Sequence, residues 1–129
     1  MADDMLDASE LLALAAYIED GVQRAAEGAY PLVKEHALKL RDQWRDNAKR
    51  SAGRHGKHYH RSITAEQIPR TDAAEWEVGP NRALKQGSMG RGFEYGSAHQ
   101  PPHLDGARAT VAIAPDFNKA VDEFMRSLL

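Results

Sequence analysis

Three histidines fall within six residues, His55, His58 and His60, and two more, His99 and His103, flank the pair Pro101-Pro102. Imidazole nitrogens are common ligands for zinc, copper and nickel, so these five of the six histidines are the candidate donors for a metal. Their spacing matches no ligand pair carried on one helix face. The run is also broken by Gly56 and lies beside Arg54, Lys57 and Arg61, whose positive charge repels a cation. The competing reading has the histidines packing or hydrogen-bonding at a subunit contact.

Other chemistry finds less support. The chain has no cysteine, which excludes disulfides, thiolate nucleophiles and the common structural zinc sites. It contains no G-x-S-x-G elbow, no phosphate-cradling G-x-x-x-x-G-K-S/T and no H-E-x-x-H. Gly90-x-Gly92 precedes an expected strand, so it offers no helix N-terminus to a phosphate. Glu94 is set between Phe93 and Tyr95. The reading adopted puts it on the outer face of an edge strand, paired with Arg91 or Arg108. Neither an enzymatic role nor a cofactor is expected.

At 129 residues and 42% hydrophobic content, the chain is the size of one domain with one modest core. No stretch approaches the length of a transmembrane helix, and the acidic start Met1-Ala-Asp-Asp-Met-Leu-Asp7 lacks a basic secretory flank. A soluble, unprocessed protein without membrane contact is expected. The net charge of −2 conceals an asymmetry: ten Lys and Arg between residues 34 and 70 face four acids, a local excess of six. A basic stretch of this kind meets either phosphates or an acidic neighbour in an assembly. Only Trp44 and Tyr59 lie within it as stacking aromatics, and no base-reading motif accompanies the charge.

Periodicity places these residues on elements. Residues 7 to 26 read as an amphipathic helix, with Asp7 and Glu10 at capping-box spacing and Leu11, Leu14, Ala15, Ile18, Val22 and Ala25 on one face. Gly28 and Pro31 predict a kink or short turn, after which Val33, Ala37, Leu40 and Trp44 resume the stripe to about Lys49. Pairs Glu35 with Lys39 and Asp42 with Arg45 have helical spacing. Residues 51 to 60 lack apolar periodicity and read as a flexible loop that orders on assembly. Residues 61 to 66 and 75 to 79 alternate as strands, with Trp76 and Val78 on the face that meets the helices. Phe93 and Tyr95 two apart suggest a further strand stopped by Gly96. A short helix from Leu104 to Ala114, a break at Pro115 and a last helix through Phe117, Ala120, Val121, Phe124 and Leu128 complete the chain. The expected fold is α+β: N-terminal amphipathic helices, a small antiparallel sheet of three or four strands, and C-terminal helices. It forms a single domain over 1–129, with helices in 1–50, the loop in 51–60, the sheet in 61–96 and helices in 101–129.

The run Gly92-Phe-Glu-Tyr-Gly-Ser-Ala-His-Gln-Pro-Pro-His103, followed by a small-residue helix, resembles the E-Y/F-G-(S/T)…P-P signature of head-to-tail connector and tail-completion proteins of long-tailed bacteriophages, the lambda minor tail protein Z type. Upstream, Trp44, Arg45, Asn47, Ala48, Gly53, His55, Gly56, His58, Tyr59 and Ser62-Ile63 are similar to the approach to this signature in actinobacterial phages. The likeness spans roughly residues 30 to 125. Leu104-Asp105-Gly106 stands where many relatives carry P-F-L-R-P-A. The resemblance implies a structural virion protein of the neck or tail joint, present in the host cytoplasm during assembly. It implies a homo-oligomeric ring in contact with other connector, portal-adaptor, tail-tube or tail-terminator proteins. Phe93, Glu94, Tyr95, Gly96, Gln100, Pro101, Pro102 and His103 are its candidate interface residues, and contact with DNA in the channel would be independent of sequence. The alternative is a small nucleic-acid-binding or His-rich metal-binding module.

Overall fold

A computed structural model describes residues 8–129 of the chain; the cap expected at Asp7 lies outside them. Helix α1 spans Ala8–Ser51 and runs through both Gly28 and Pro31, where the sequence pointed to a kink or turn. Pro31 removes one hydrogen bond, the one to the Glu27 carbonyl, and both residues are exposed, so water can serve the freed oxygen. Gly28 is there for a different reason than helix termination. A Cβ at this position would lie 2.2 Å from the Phe124 ring, so the glycine admits an aromatic side chain against the helix backbone.

Phe124 belongs to helix α3, Asp105–Ser127, which is also continuous despite Pro115. The carbonyl that Pro115 leaves unpaired is that of Val111, itself 75% exposed. Asp105 meets Ser51, Asp116 meets His36, and Phe124 meets Gly28, so α3 runs antiparallel to α1 and covers only its C-terminal part. Strands β1, Ile63–Ile68, and β2, Glu75–Pro80, pair antiparallel with Ala65 opposite Val78 and Gln67 opposite Trp76. Trp76 and Val78 do turn toward α1 and α3, lining a cleft of about 250 Å³ with Val33, Leu40, Ile113 and Phe117.

The sheet has two strands among the described residues, not three or four. The residues expected as a further strand form helix α2, Gly90–Tyr95. Alternation over only three residues is compatible with either structure, and packing decides. In a strand Phe93 and Tyr95 would share a face; here Phe93 is in the core and Tyr95 is 72% exposed. Gly96 closes α2 by donating to the Gly92 carbonyl, in a left-handed conformation (φ 83°) that favours glycine.

Residues 51 to 60, read from sequence as a loop without apolar periodicity, contain short helical turns. Two 3-10 turns, Arg54–Gly56 and Tyr59–Ser62, place Gly56 against the Phe93 ring and bury Tyr59 completely. Tyr59, Ile63, Phe93 and Ala48 form the core, with Trp44, Ala52 and Val78 packed around them. One aromatic residue thus supplies the burial that periodicity did not reveal.

Candidate functional site

Residues 92 to 103 and the turns before them converge on one junction. Tyr59 and Phe93 stack with ring centroids 4.6 Å apart, and His103 also stacks with Phe93 at 5.6 Å. Behind this column, Glu94 turns inward and accepts hydrogen bonds from the backbone N–H groups of Gly106 (2.8 Å) and Ala107 (3.0 Å). It therefore caps the first turn of α3, where unpaired N–H groups and the helix dipole favour a carboxylate. This corrects the placement of Glu94 on an outer strand face; Arg108 pairs with Asp105 at 2.9 Å, not with Glu94. The chain from Phe93 to Leu104 closes on itself, as His103 N–H donates to the Phe93 carbonyl and Leu104 N–H to that of Glu94. Pro101 and Pro102, both exposed, span the outside of this closure, and Gly96 sits beneath Pro102.

Asp105 is the second carboxylate of the junction and the sequence did not single it out. Fully buried, it accepts from Ser51 Oγ at 2.8 Å and 2.9 Å and from Arg108. The Asn47 side chain donates to its backbone carbonyl at 3.0 Å. Gly106 follows because a Cβ there would lie 2.5 Å from the Trp44 ring. Leu104-Asp105-Gly106 is thus the joint between α3 and the end of α1, with Leu104 in a left-handed conformation (φ 53°) to turn the chain. The signal available in sequence was an Asp and an Arg three apart at a helix start. Burial, followed by the charges of Asp105 and Glu94, pushes the Tyr59 hydroxyl up to about 12, against a smaller opposing effect of Trp44. Tyr59 therefore remains protonated. Both carboxylates are committed to donors inside the protein, so the junction fixes three elements to one another.

Of the interface candidates, Phe93 and Glu94 are buried, whereas Tyr95, Pro101 and Pro102 are exposed around the half-buried Gln100 and His103. His99 is exposed on the same turn. His55 and His60 lie on the two 3-10 turns, and His58 lies between them. Among the described residues, no three His, Asp or Glu side chains are placed together as a metal site. His36, which the sequence reading passed over, joins α1 to α3: its Nδ1 is 2.8 Å from the Leu32 carbonyl and its Nε2 3.2 Å from Asp116. Lys39 holds the same Asp116 carboxylate at 2.9 Å, and Lys39 first, with His36 adding less, keeps that carboxyl below its usual range.

The basic stretch separates into two classes of cation. Lys39, Arg41, Arg50 and Arg70 are paired with acids, including the expected Glu35 to Lys39 contact at 3.6 Å. Arg41 takes Asp42, and Arg45 instead donates to the Ile63 carbonyl at 2.7 Å. No acidic partner is present among the described residues for Lys49, Arg54, Lys57 or Arg61. Partial burial, followed by the charges of Lys85, Lys57, Arg61 and His60, lowers the His58 pKa. His60 is lowered in the same way by burial, then by Arg61, Lys49 and Arg45. A histidine with a depressed folded pKa binds fewer protons than in the unfolded chain. Its contribution therefore reduces stability as pH falls below the unfolded value near 6.5. The expected result is a melting temperature that drops between pH 7.5 and 5.5 less in a His58→Gln/His60→Gln variant than in the parent. Equal drops would show that these histidines do not feel the surrounding cations.

The N-terminal half of α1 is the remaining feature. Phe124, near the end of α3, meets Gly28, and the roughly 17 residues of α1 from 8 to 24 extend beyond that contact by about 25 Å at the helical rise. Leu11, Leu14, Ile18 (56% exposed) and Val22 (65% exposed) lie on this arm, in line with the stripe that α3 and β2 cover farther along the helix. Comparison of the chain with protein-family models, curated proteins and solved structures returned no match.

Proposed function

We propose that this is a non-enzymatic structural protein of a bacteriophage neck or tail joint, which self-associates into a ring and helps join head to tail or complete the tail. The phage assignment rests on the resemblance of residues 92 to 103 and of the approach from Trp44 to Ile63. The observation that carries self-association is the exposed apolar stripe of the α1 arm. A projecting helix of this length is marginal in water without tertiary contacts, and its apolar face lowers its free energy only when covered. Residues 8 to 27 carry Glu10, Glu19, Asp20 and Glu27 against Arg24, so two arms side by side would repel. A head-to-tail contact, in which the arm meets a more basic region of the next subunit, avoids this and closes into a ring. Tyr95, Gln100, Pro101, Pro102 and His103 form a second contact edge on this reading, and the assembled protein resides in the virion after passing through the host cytoplasm.

A Leu14→Asp/Ile18→Asp variant should melt within a few degrees of the parent, because both side chains are already in water in the single chain. It should remain monomeric by sedimentation at concentrations where the parent assembles. A parent that stays monomeric alone and with neighbouring connector proteins would count against the ring. In the virus, loss of the protein should leave unjoined heads and tails; fully infectious particles without it would refute the assignment. Charged replacements at Tyr95 and Pro102 should reproduce the joining defect with the helices intact.

A further inference from the structure

The electrostatics around His58 are unrelieved. Lys57 and Arg61 flank it in sequence, and Lys85 is brought to it from the segment after β2. His58, Arg61, Ser62, Leu84 and Lys85 line one cleft of about 230 Å³. Lys57, Arg61 and Lys85 are exposed and have no acidic partner among the described residues. Like charges this close repel, and a long surface loop would normally let them separate.

Here the backbone holds them together. Gln86 accepts from the His58 backbone N–H at 2.8 Å through Oε1 and donates to the His55 carbonyl at 3.0 Å through Nε2. It makes this double contact from a left-handed conformation (φ 63°), which is unfavourable for a residue with a side chain. Gly87 completes the turn, since a Cβ there would collide with the Asn81 carbonyl at 1.8 Å. Strained backbone therefore fixes Lys85 beside Lys57, His58 and Arg61. Arg45 and Lys49 extend the positive field on the side of His60. A bound polyanion would supply the missing countercharge.

We propose that Lys57, His58, Arg61 and Lys85 form a binding site for the phosphodiester backbone of duplex DNA, engaged without sequence preference. The site has the features of backbone contact, which positions a protein on a duplex through cations and backbone groups. It lacks those of single-strand binding, which needs aromatic faces for bases to stack on. Tyr59, the aromatic residue beside it, is buried against Phe93. An acidic protein surface is less favoured as the occupant of this cleft: on the arm of a second copy the acids are spread from Glu10 to Glu27, with Asp20 already paired with Arg24 at 3.0 Å, whereas a phosphodiester backbone presents a charge at every nucleotide. The choice of DNA as the polyanion rests in part on the neck reading above, while the site itself does not.

The test is fluorescence anisotropy of a labelled duplex of about 25 base pairs with the full chain, from 50 to 200 mM NaCl. Binding should weaken steeply with salt. A Lys57→Gln/Arg61→Gln/Lys85→Gln variant should bind at least about tenfold more weakly at 50 mM, with a log-log salt slope shallower by about 2 to 3, as expected for three lost phosphate contacts. A Lys34→Gln/Lys119→Gln variant should bind as the parent does. The triple variant should melt no lower than the parent, since it loses repulsion, and its His58 should titrate at higher pH by NMR. Absence of salt-dependent binding, or equal binding by the triple variant, would overturn the proposal. So would displacement of the duplex by millimolar inorganic phosphate, or by polyglutamate at the same charge concentration as unlabelled duplex. Sedimentation of the same samples separates the two ideas: assembly without duplex binding removes the site and leaves the ring, and duplex binding by a persistent monomer does the reverse.

Discussion

Phe93→Ala is expected to lower the free energy of unfolding by about 3 to 5 kcal/mol, the usual cost of emptying a buried aromatic position. The ring is 2% exposed, stacks with both Tyr59 and His103, and closes over Gly56, so its removal opens a cavity that neighbours on several elements cannot fill. Tyr95→Ala, two residues on, should cost no more than about 0.5 kcal/mol because that side chain is already in water. Urea denaturation followed by tryptophan fluorescence reads both. Similar losses at the two positions would mean that residues 90 to 95 are not the helix described. On the proposed neck role, a joining defect caused by Phe93→Ala would report on folding, whereas one caused by a Tyr95 substitution would report on the surface.

Glu94→Ala should cost about 2 to 3 kcal/mol. It removes a helix cap and leaves the Gly106 and Ala107 N–H groups, one of them buried, without an acceptor. Glu94→Gln keeps one carbonyl oxygen and should recover about half of the loss, while placing an amide NH₂ against the second N–H. Hydrogen exchange should locate the damage, with faster exchange at the start of α3 and little change at its centre. A Glu94→Ala protein as stable as the parent would remove the capping role.

The lesson of these two residues is local. The sequence pattern placed Phe93, Glu94 and Tyr95 on alternating faces of a strand, and three residues of alternation are too few to distinguish a strand from a turn of helix. The glycine stop at Gly96 was legible because it follows from φ and applies whichever element precedes it. Gly28 and Pro31, and later Pro115, carry the residue types that end helices. Both helices continue because each proline frees one exposed carbonyl, and because Gly28 serves the approach of Phe124 from a residue 96 positions away. The histidine run stands out by its spacing, whereas His36, isolated in sequence, is the histidine that joins two helices through Asp116.

The amino-acid sequence by itself determined that the two ends are amphipathic helix, though not that each is one continuous helix, and it determined the paired strands with Trp76 and Val78 facing inward and the excess of cations between residues 34 and 70. These follow from period and composition, which are properties of neighbours along the chain. Tertiary structure alone decided that Tyr59 and Phe93 share the core, that Glu94 and Asp105 act at the start of α3, and that Lys85 joins Lys57 and Arg61. Each of these depends on contacts between segments far apart in sequence, where burial and hydrogen-bond completion override local preference.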